Sequence, residues 1–201
     1  MNSIDTITLE VADPQAAQNF YKTVLGDDLP LAFRASEEPT SGFRGFTVSL
    51  VVAQPSTVST LVDAAVEAGA TVLKPTAKSF WGVGGVVQAP DGTIWKIATS
   101  AKKDTAPATR DIDEVVLLLG VDDVKASKRF YVDRGFEVAK SFGGKYAEFA
   151  SPEGSVKLAL YPRKFAAKDA GVPPEGSGSH RVVIGSAAGS FTDPDGFVWE
   201  K

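Results

Sequence analysis

Polar and apolar positions alternate from the start of the chain. In "IDTITLEV", residues 4–11, Ile7, Leu9 and Val11 fall on one side with Asp5, and Ile4, Thr6, Thr8 and Glu10 fall on the other. That period of two predicts a strand with one buried face. The period then lengthens: in "DPQAAQNFYKTVLG", Ala17, Phe20, Tyr21, Val24 and Leu25 form one apolar stripe of an amphipathic helix. Asp13 suits its N-cap, Pro14 its first position and Gly26 its left-handed exit. Further on, "GFRGFTVSLVV" (42–52) predicts a strand. A helix opens at Ser56, turns Val58, Leu61, Val62, Ala65 and Val66 inward, and ends at Gly69.

The same order returns after residue 110. "DEVVLLLGVDD" (113–123) predicts a buried strand, and Asp123 caps "VKASKRFYVDRG", where Phe130 and Tyr131 stand seven and eight residues after the cap, as Phe20 and Tyr21 do after Asp13. Between the copies, "SAKKDTAPATRD" (100–111) is polar and aperiodic and suits a surface linker. The second copy continues differently: "KYAEFASPEGSVKLALYPR" (145–163) predicts two strands about a turn. A Gly/Pro/Ser-rich stretch then runs to Ser179, and the strand "HRVVIG" (180–185) leaves no room for a second helix before the closing turn. Each copy closes on a hairpin, "GGVVQAPDGTIWKIA" and "AAGSFTDPDGFVWEK", whose Pro-Asp-Gly sequence pre-sets a tight reversal.

Composition narrows the function classes. The 201 residues carry a formal charge of −4 and include no cysteine. Disulfides, thiolate nucleophiles and cysteine metal sites are excluded, and nothing in the charge recruits nucleic acid or anionic lipid. No leader or membrane-spanning run is evident, so a cytoplasmic location is expected.

Strand, Asp-capped helix bearing "FY", and closing "PDG" strand, twice in order, resemble the vicinal oxygen chelate superfamily. That group includes glyoxalase I, bleomycin-resistance proteins and extradiol dioxygenases. The resemblance implies an α+β fold of two paired βαβββ modules whose curled mixed sheets enclose a cavity, here with the second module lacking its second helix. Residues 1–99 and 112–201 would be the modules and 100–111 the linker. It also implies metal-ligand positions. Those on the first strands are Thr6 and Val116, both poor ligands. The middle position is His180 in the second module and the neighbourhood of Gly45 and Phe46 in the first. On the last strands stand Glu200 and, in the first module, Lys96. An ammonium has no lone pair to offer a cation, so at most the site with His180 and Glu200 survives, with Glu114 or Glu148 as a possible third ligand.

Two readings stay open on these residues, beside a third in which side chains fill the cavity and the chain is an interaction module. In one, the protein binds a small organic molecule in its cavity, without a complete metal site and with no cofactor. In the other it is a metal-dependent lyase, isomerase or dioxygenase holding one Zn, Ni, Mn or Fe ion through His180 and Glu200. His180, the only histidine, is a ligand or base in the second reading and a strand-end residue bonded to a loop in the first. Phe80, Trp81, Arg34, Arg44 and Tyr146 are the candidate cavity residues, the aromatics as a wall for a flat ligand and the arginines as carboxylate anchors. The expected partner is a small molecule, neither nucleic acid nor membrane, and the chain is a monomer or homodimer.

Overall fold

The computed structural model describes residues 2–201. The opening alternation is realised as β1 (Thr6–Val11), with Ile7, Leu9 and Val11 buried. It leads through α1 (Pro14–Leu25), capped by Asp13 and closed at Gly26, into β2 (Leu31–Ala35), which lies parallel to β1. A short β3 (Thr40–Gly42) precedes β4 (Phe46–Val51), α2 (Pro55–Glu67), β5 (Thr71–Ser79), β6 (Gly82–Gln88) and β7 (Ile94–Thr99). The second passage runs β8 (Glu114–Val121), α3 (Val124–Val132), β9 (Val138–Ser141), β10 (Ala147–Phe149), β11 (Lys157–Pro162) and α4 (Arg163–Ala170). The chain finishes with β12 (Gly176–Gly178), β13 (Val182–Gly185), β14 (Phe191–Thr192) and β15 (Val198–Glu200).

Two large curled sheets result, with β12 and β3 forming a separate two-stranded one. One has eight strands in the order β5-β6-β7-β4-β8-β11-β10-β9, and the other has five in the order β14-β15-β13-β1-β2. In the larger sheet, β4-α2-β5-β6-β7 and β8-α3-β9-β10-β11 are both βαβββ modules. Their first strands meet antiparallel at the centre, with Ser49 opposite Val116. The paired modules implied by the resemblance are therefore present, but they occupy residues 46–99 and 114–162. The remaining strands, β1-β2 and β13–β15, assemble the smaller sheet as a reduced pair joined by β1 against β13. Dividing the chain at 100–111 does not divide the sheets, because each half contributes strands to both. Segment 100–111 has no strand or helix, yet it is tied down. The buried Gln54 amide donates to the carbonyls of Ala106 and Pro107 and accepts from the N–H of Thr105 and Ala106, while Asp104 accepts from Ser56 N–H in the first turn of α2.

No helix follows β13, as the sequence predicts. The helix α4, by contrast, lies inside the stretch read as Gly/Pro/Ser-rich, and β12 pairs with β3 in the same stretch. Its "RKFAAKDA" segment is short and lightly apolar, so it carries little helical signal; the buried Ala166, Ala167 and Ala170 hold it by packing.

Strand parity gives the larger sheet two distinct faces. Val48, Leu50, Trp95, Ile97, Leu117, Leu119, Leu158 and Leu160 point into one continuous apolar core shared with Ile7, Leu9, Ile184 and Trp199 of the smaller sheet. Their neighbours Ser49, Lys96, Val116, Leu118, Ala159 and Tyr161 line the opposite, trough-like face.

The repeated "FY" and "PDG" motifs join the two sheets. Tyr21 on α1, a helix of the smaller sheet, donates its hydroxyl to Asp91 Oδ2 (2.8 Å) in the β6–β7 turn of the larger, and Trp95 Nε1 donates to the same hydroxyl at 3.1 Å. Tyr131 on α3, a helix of the larger sheet, donates to Asp193 in the β14–β15 turn of the smaller. Burial pushes the Asp193 carboxyl up against the pull of the Tyr131 hydroxyl and the Phe197 N–H, and burial likewise lifts both tyrosines well above their ordinary value. Each turn closes on a glycine with positive φ, Gly92 at 89° and Gly196 at 90°. A buried phenol left without its charged acceptor, or the reverse, loses about 1.5–3 kcal/mol. Tyr131→Phe is expected to lower unfolding free energy in urea by about that amount, with a smaller loss in Tyr21→Phe, whose aspartate is less enclosed; equal stability of both variants and the parent would contradict the clasp.

Candidate functional site

The trough on the larger sheet holds a cavity of about 810 Å³. Its floor comes from the two central modules: Ser49 from β4, Lys96 and Ala98 from β7, Val116 and Leu118 from β8, and Ala159 from β11. The helix α4 covers one end of the trough. Its alanine face packs on Leu118 and Ala159, and Gly120 permits the approach, since a Cβ there would stand 3.2 Å from Ala166 Cβ and 3.0 Å from Gly45 O. Arg163 secures the start of α4 by donating to Phe43 O (2.6 Å) and Pro174 O (2.9 Å).

Charges in the trough are arranged as neighbouring opposites. Lys96 Nζ lies 2.6 Å from Asp169 of α4, so the lysine that replaces the expected glutamate pins the covering helix to the floor. Lys157 Nζ lies 3.0 Å from Glu114 and 3.7 Å from Glu148. Glu148 also accepts from the Tyr146 hydroxyl (2.8 Å) and from Lys140 (3.3 Å). Burial alone would raise the Glu148 carboxyl, but the Tyr146 hydroxyl and the two lysines outweigh it and hold the group below the usual glutamate range. Burial and the Glu148 carboxylate raise Tyr146.

The structure separates the residues that the second reading brings together. His180 Nδ1 faces Arg44 O at 2.6 Å and Nε2 faces Asp195 O at 3.0 Å, while the ring stacks on Phe197 at 4.0 Å. Both ring nitrogens are thus turned toward backbone carbonyls of the protein, and neither faces the trough. Glu200 lies exposed on the smaller sheet in a bidentate pair with Arg34 (2.9 and 2.7 Å), which holds its carboxyl low. Its register partner is Gly185 at the far end of β13, whereas His180 precedes the start of that strand. His180 and Glu200 therefore do not form a joint metal site. Glu114 and Glu148 do share a cavity, but on the other sheet and already held by lysines.

Among the cavity candidates, Trp81 and Tyr146 line the trough. Phe80 stands beside Trp81 edge to face at 5.1 Å. Arg34 and Arg44 are not in the trough: Arg34 is taken by Glu200, and Arg44 is half-buried and donates to Asp91 O in the clasp turn. Sequence reasoning missed Ser49, Tyr161, Phe142, Lys145 and Asp169 as lining residues. Continuing the parity of Val116 and Lys96 across β4 and β11 reaches Ser49 and Tyr161. Asp169 had no such signal.

Against this geometry, solved structures give a consistent result. Glyoxalase I from Zea mays superposes with a TM-score of 0.61 at 15% identity, covering 99% of this chain and 91% of that one. The fold is that of glyoxalase I. A putative dioxygenase from Bacillus subtilis also shares it (TM-score 0.55, 15% identity, 96% of this chain and 71% of that one). No family model and no curated protein matches the sequence. The vicinal oxygen chelate fold that the sequence resembles is thus the fold adopted, and at 15% identity the likeness extends to the fold alone.

The residues present do not suit the metal that the sequence resemblance implies. Across the central strands the positions facing the trough are Ser49, Lys96 and Val116, a hydroxyl, an ammonium and a hydrocarbon. The nearby carboxylates are already compensated by lysines, and among the described residues no group of three or more His, Asp or Glu side chains could hold an ion. The donor set does not fit a divalent cation.

The Glu148 network generates a pH-dependent expectation. Because its folded value is depressed, its stabilisation is fully present above the ordinary glutamate range and is lost as pH falls through the depressed value. Glu148→Gln is expected to destabilise the protein by about 1–2 kcal/mol at pH 7, with parent and variant converging in acid; a pH-independent difference in chemical denaturation would refute this origin.

Proposed function

We propose that the protein binds a small organic molecule in the trough of the eight-stranded sheet and does so without a metal ion. The observation that carries this reading is the Lys96–Asp169 pair, which sets a cation at the floor of an 810 Å³ cavity and fastens it to the covering helix. The size of that cavity and its mix of apolar floor, aromatic rim and a few charged groups suit a small organic ligand. The glyoxalase I fold of the neighbours supports the choice of this face, and the charge arrangement of this chain argues against a chelated substrate.

Equilibration with Zn²⁺, Ni²⁺, Mn²⁺ or Fe²⁺ followed by dialysis is expected to leave substoichiometric metal, unchanged in His180→Ala and Glu200→Gln. Val116→Trp, which fills the middle of the trough, is expected to abolish small-molecule binding measured by calorimetry, whereas Glu200→Gln leaves it intact. Stoichiometric metal that disappears with Glu148→Gln would overturn the metal-free reading.

A further inference from the structure

Two large aromatic side chains stand in water at the rim of the trough. Trp81, at the tip of the β5–β6 hairpin, is 80% exposed, and Phe142, at the β9–β10 turn, is 64% exposed. Those hairpins belong to opposite edges of the eight-stranded sheet, whose outer strands would stand more than 30 Å apart if it were flat. Both rings nevertheless border the same cavity, so the curl of the sheet brings the two edges around one volume. Beside Trp81 is Phe80, itself 78% exposed, edge to face at 5.1 Å, with Lys102 Nζ 5.4 Å from the Phe80 centroid. From Phe142 an aromatic ladder descends through Tyr146 (6.3 Å) and Tyr161 (6.1 Å) to Phe165 (5.9 Å).

The charges at this mouth are unequal in availability. Glu114, Glu148 and Asp169 each have a lysine partner: Lys96, which lines the trough, holds Asp169, and Lys157 beside it holds Glu114 and Glu148. Lys145 also lines the cavity, and among the described residues it has no carboxylate partner. It sits in the same turn as Phe142, which its backbone N–H closes by donating to Phe142 O at 3.1 Å. The uncompensated charge beside the exposed ring is thus positive.

We infer that the ligand is a flat aromatic anion, its ring taken between Trp81 and Phe142 and its anionic group on Lys145. This rests on the trough being the binding site. Stacking on either face supplies the affinity for the ring, and the free ammonium selects carboxylate over amide or amine. A cationic ring would meet carboxylates that lysines already satisfy.

Tryptophan emission provides the readout, because Trp95 and Trp199 are 3% and 1% exposed and Trp81 is the solvent-facing indole. Titration with 2-naphthoate is expected to quench this emission saturably, binding about tenfold tighter than 2-naphthamide or 2-naphthylmethylammonium; cyclohexanecarboxylate binds more weakly than naphthoate. By calorimetry, Trp81→Ala and Phe142→Ala each weaken naphthoate by roughly 2- to 12-fold. Lys145→Met brings naphthoate to the level of the amide, and Lys145→Arg restores the preference. All three side chains are exposed, so the variants fold. Absence of naphthoate binding, equal binding of the three charge types, or preference for the ammonium overturns the aromatic-anion class. If under those outcomes another organic molecule still binds and Val116→Trp abolishes it, the trough reading stands; if Val116→Trp leaves the binding of every such molecule unchanged, the trough reading fails as well.

Discussion

Two phenol–carboxylate hydrogen bonds fix how the sheets meet, and the rest of the molecule follows from that constraint. Each is given by a helix belonging to one sheet and received by a turn belonging to the other, Tyr21 to Asp91 and Tyr131 to Asp193. A burial-driven core has no strong directional preference, because apolar contact is roughly proportional to area. Buried hydrogen bonds to a charged acceptor do have direction, and their loss is costly. The reciprocal pair therefore sets the register in which the smaller sheet lies over the core face of the larger one. It commits that face, with Leu50, Leu117 and Leu160, to the interior and leaves its opposite face free to form a trough.

The trough is asymmetric although the modules beneath it are alike. After β11 the chain turns back as α4 and covers one end, where Gly120 and the alanines allow helix and strand to approach closely. After β7 the corresponding segment is drawn away by Gln54 and Asp104 onto the start of α2. One end of a pseudo-symmetric surface is thus closed and the other open. The Lys96–Asp169 pair marks the boundary between them.

Much of this was legible from residue order. Period-two alternation placed β1, the capping aspartates placed α1 and α3, and the doubled "PDG" placed both closing hairpins, since each signal is local and chemical. The repeat showed that Tyr21 and Tyr131 are equivalent, but not that each reaches across to the other sheet, which depends on chain crossing. The same limit misplaced the ligand set. His180 and Glu200 stand at two different positions of the second copy, and because β15 pairs with β13 in parallel, Glu200 falls opposite Gly185, at the end of β13 away from His180. The helix α4, and Asp169 with it, could not be read because its alanines have weak amphipathic contrast and are buried only by tertiary contact.

What the site selects follows from how its charges are spent. A divalent-metal centre without cysteine requires carboxylates and imidazole whose lone pairs are free to converge. Here every trough carboxylate has a lysine within 4 Å, and the sole imidazole is used to bridge Arg44 O and Asp195 O beneath the closing turn. Lysines paired to carboxylates at partly exposed positions add little to stability, generally under about 1 kcal/mol each. Their larger effect is to cancel the field that would concentrate a cation. With that field cancelled, the discriminating features left are shape, aromatic surface and one unpaired ammonium. Recognition by stacking and a single charge depends on the curl of the larger sheet, because Trp81 and Phe142 come from its opposite edges to border one cavity.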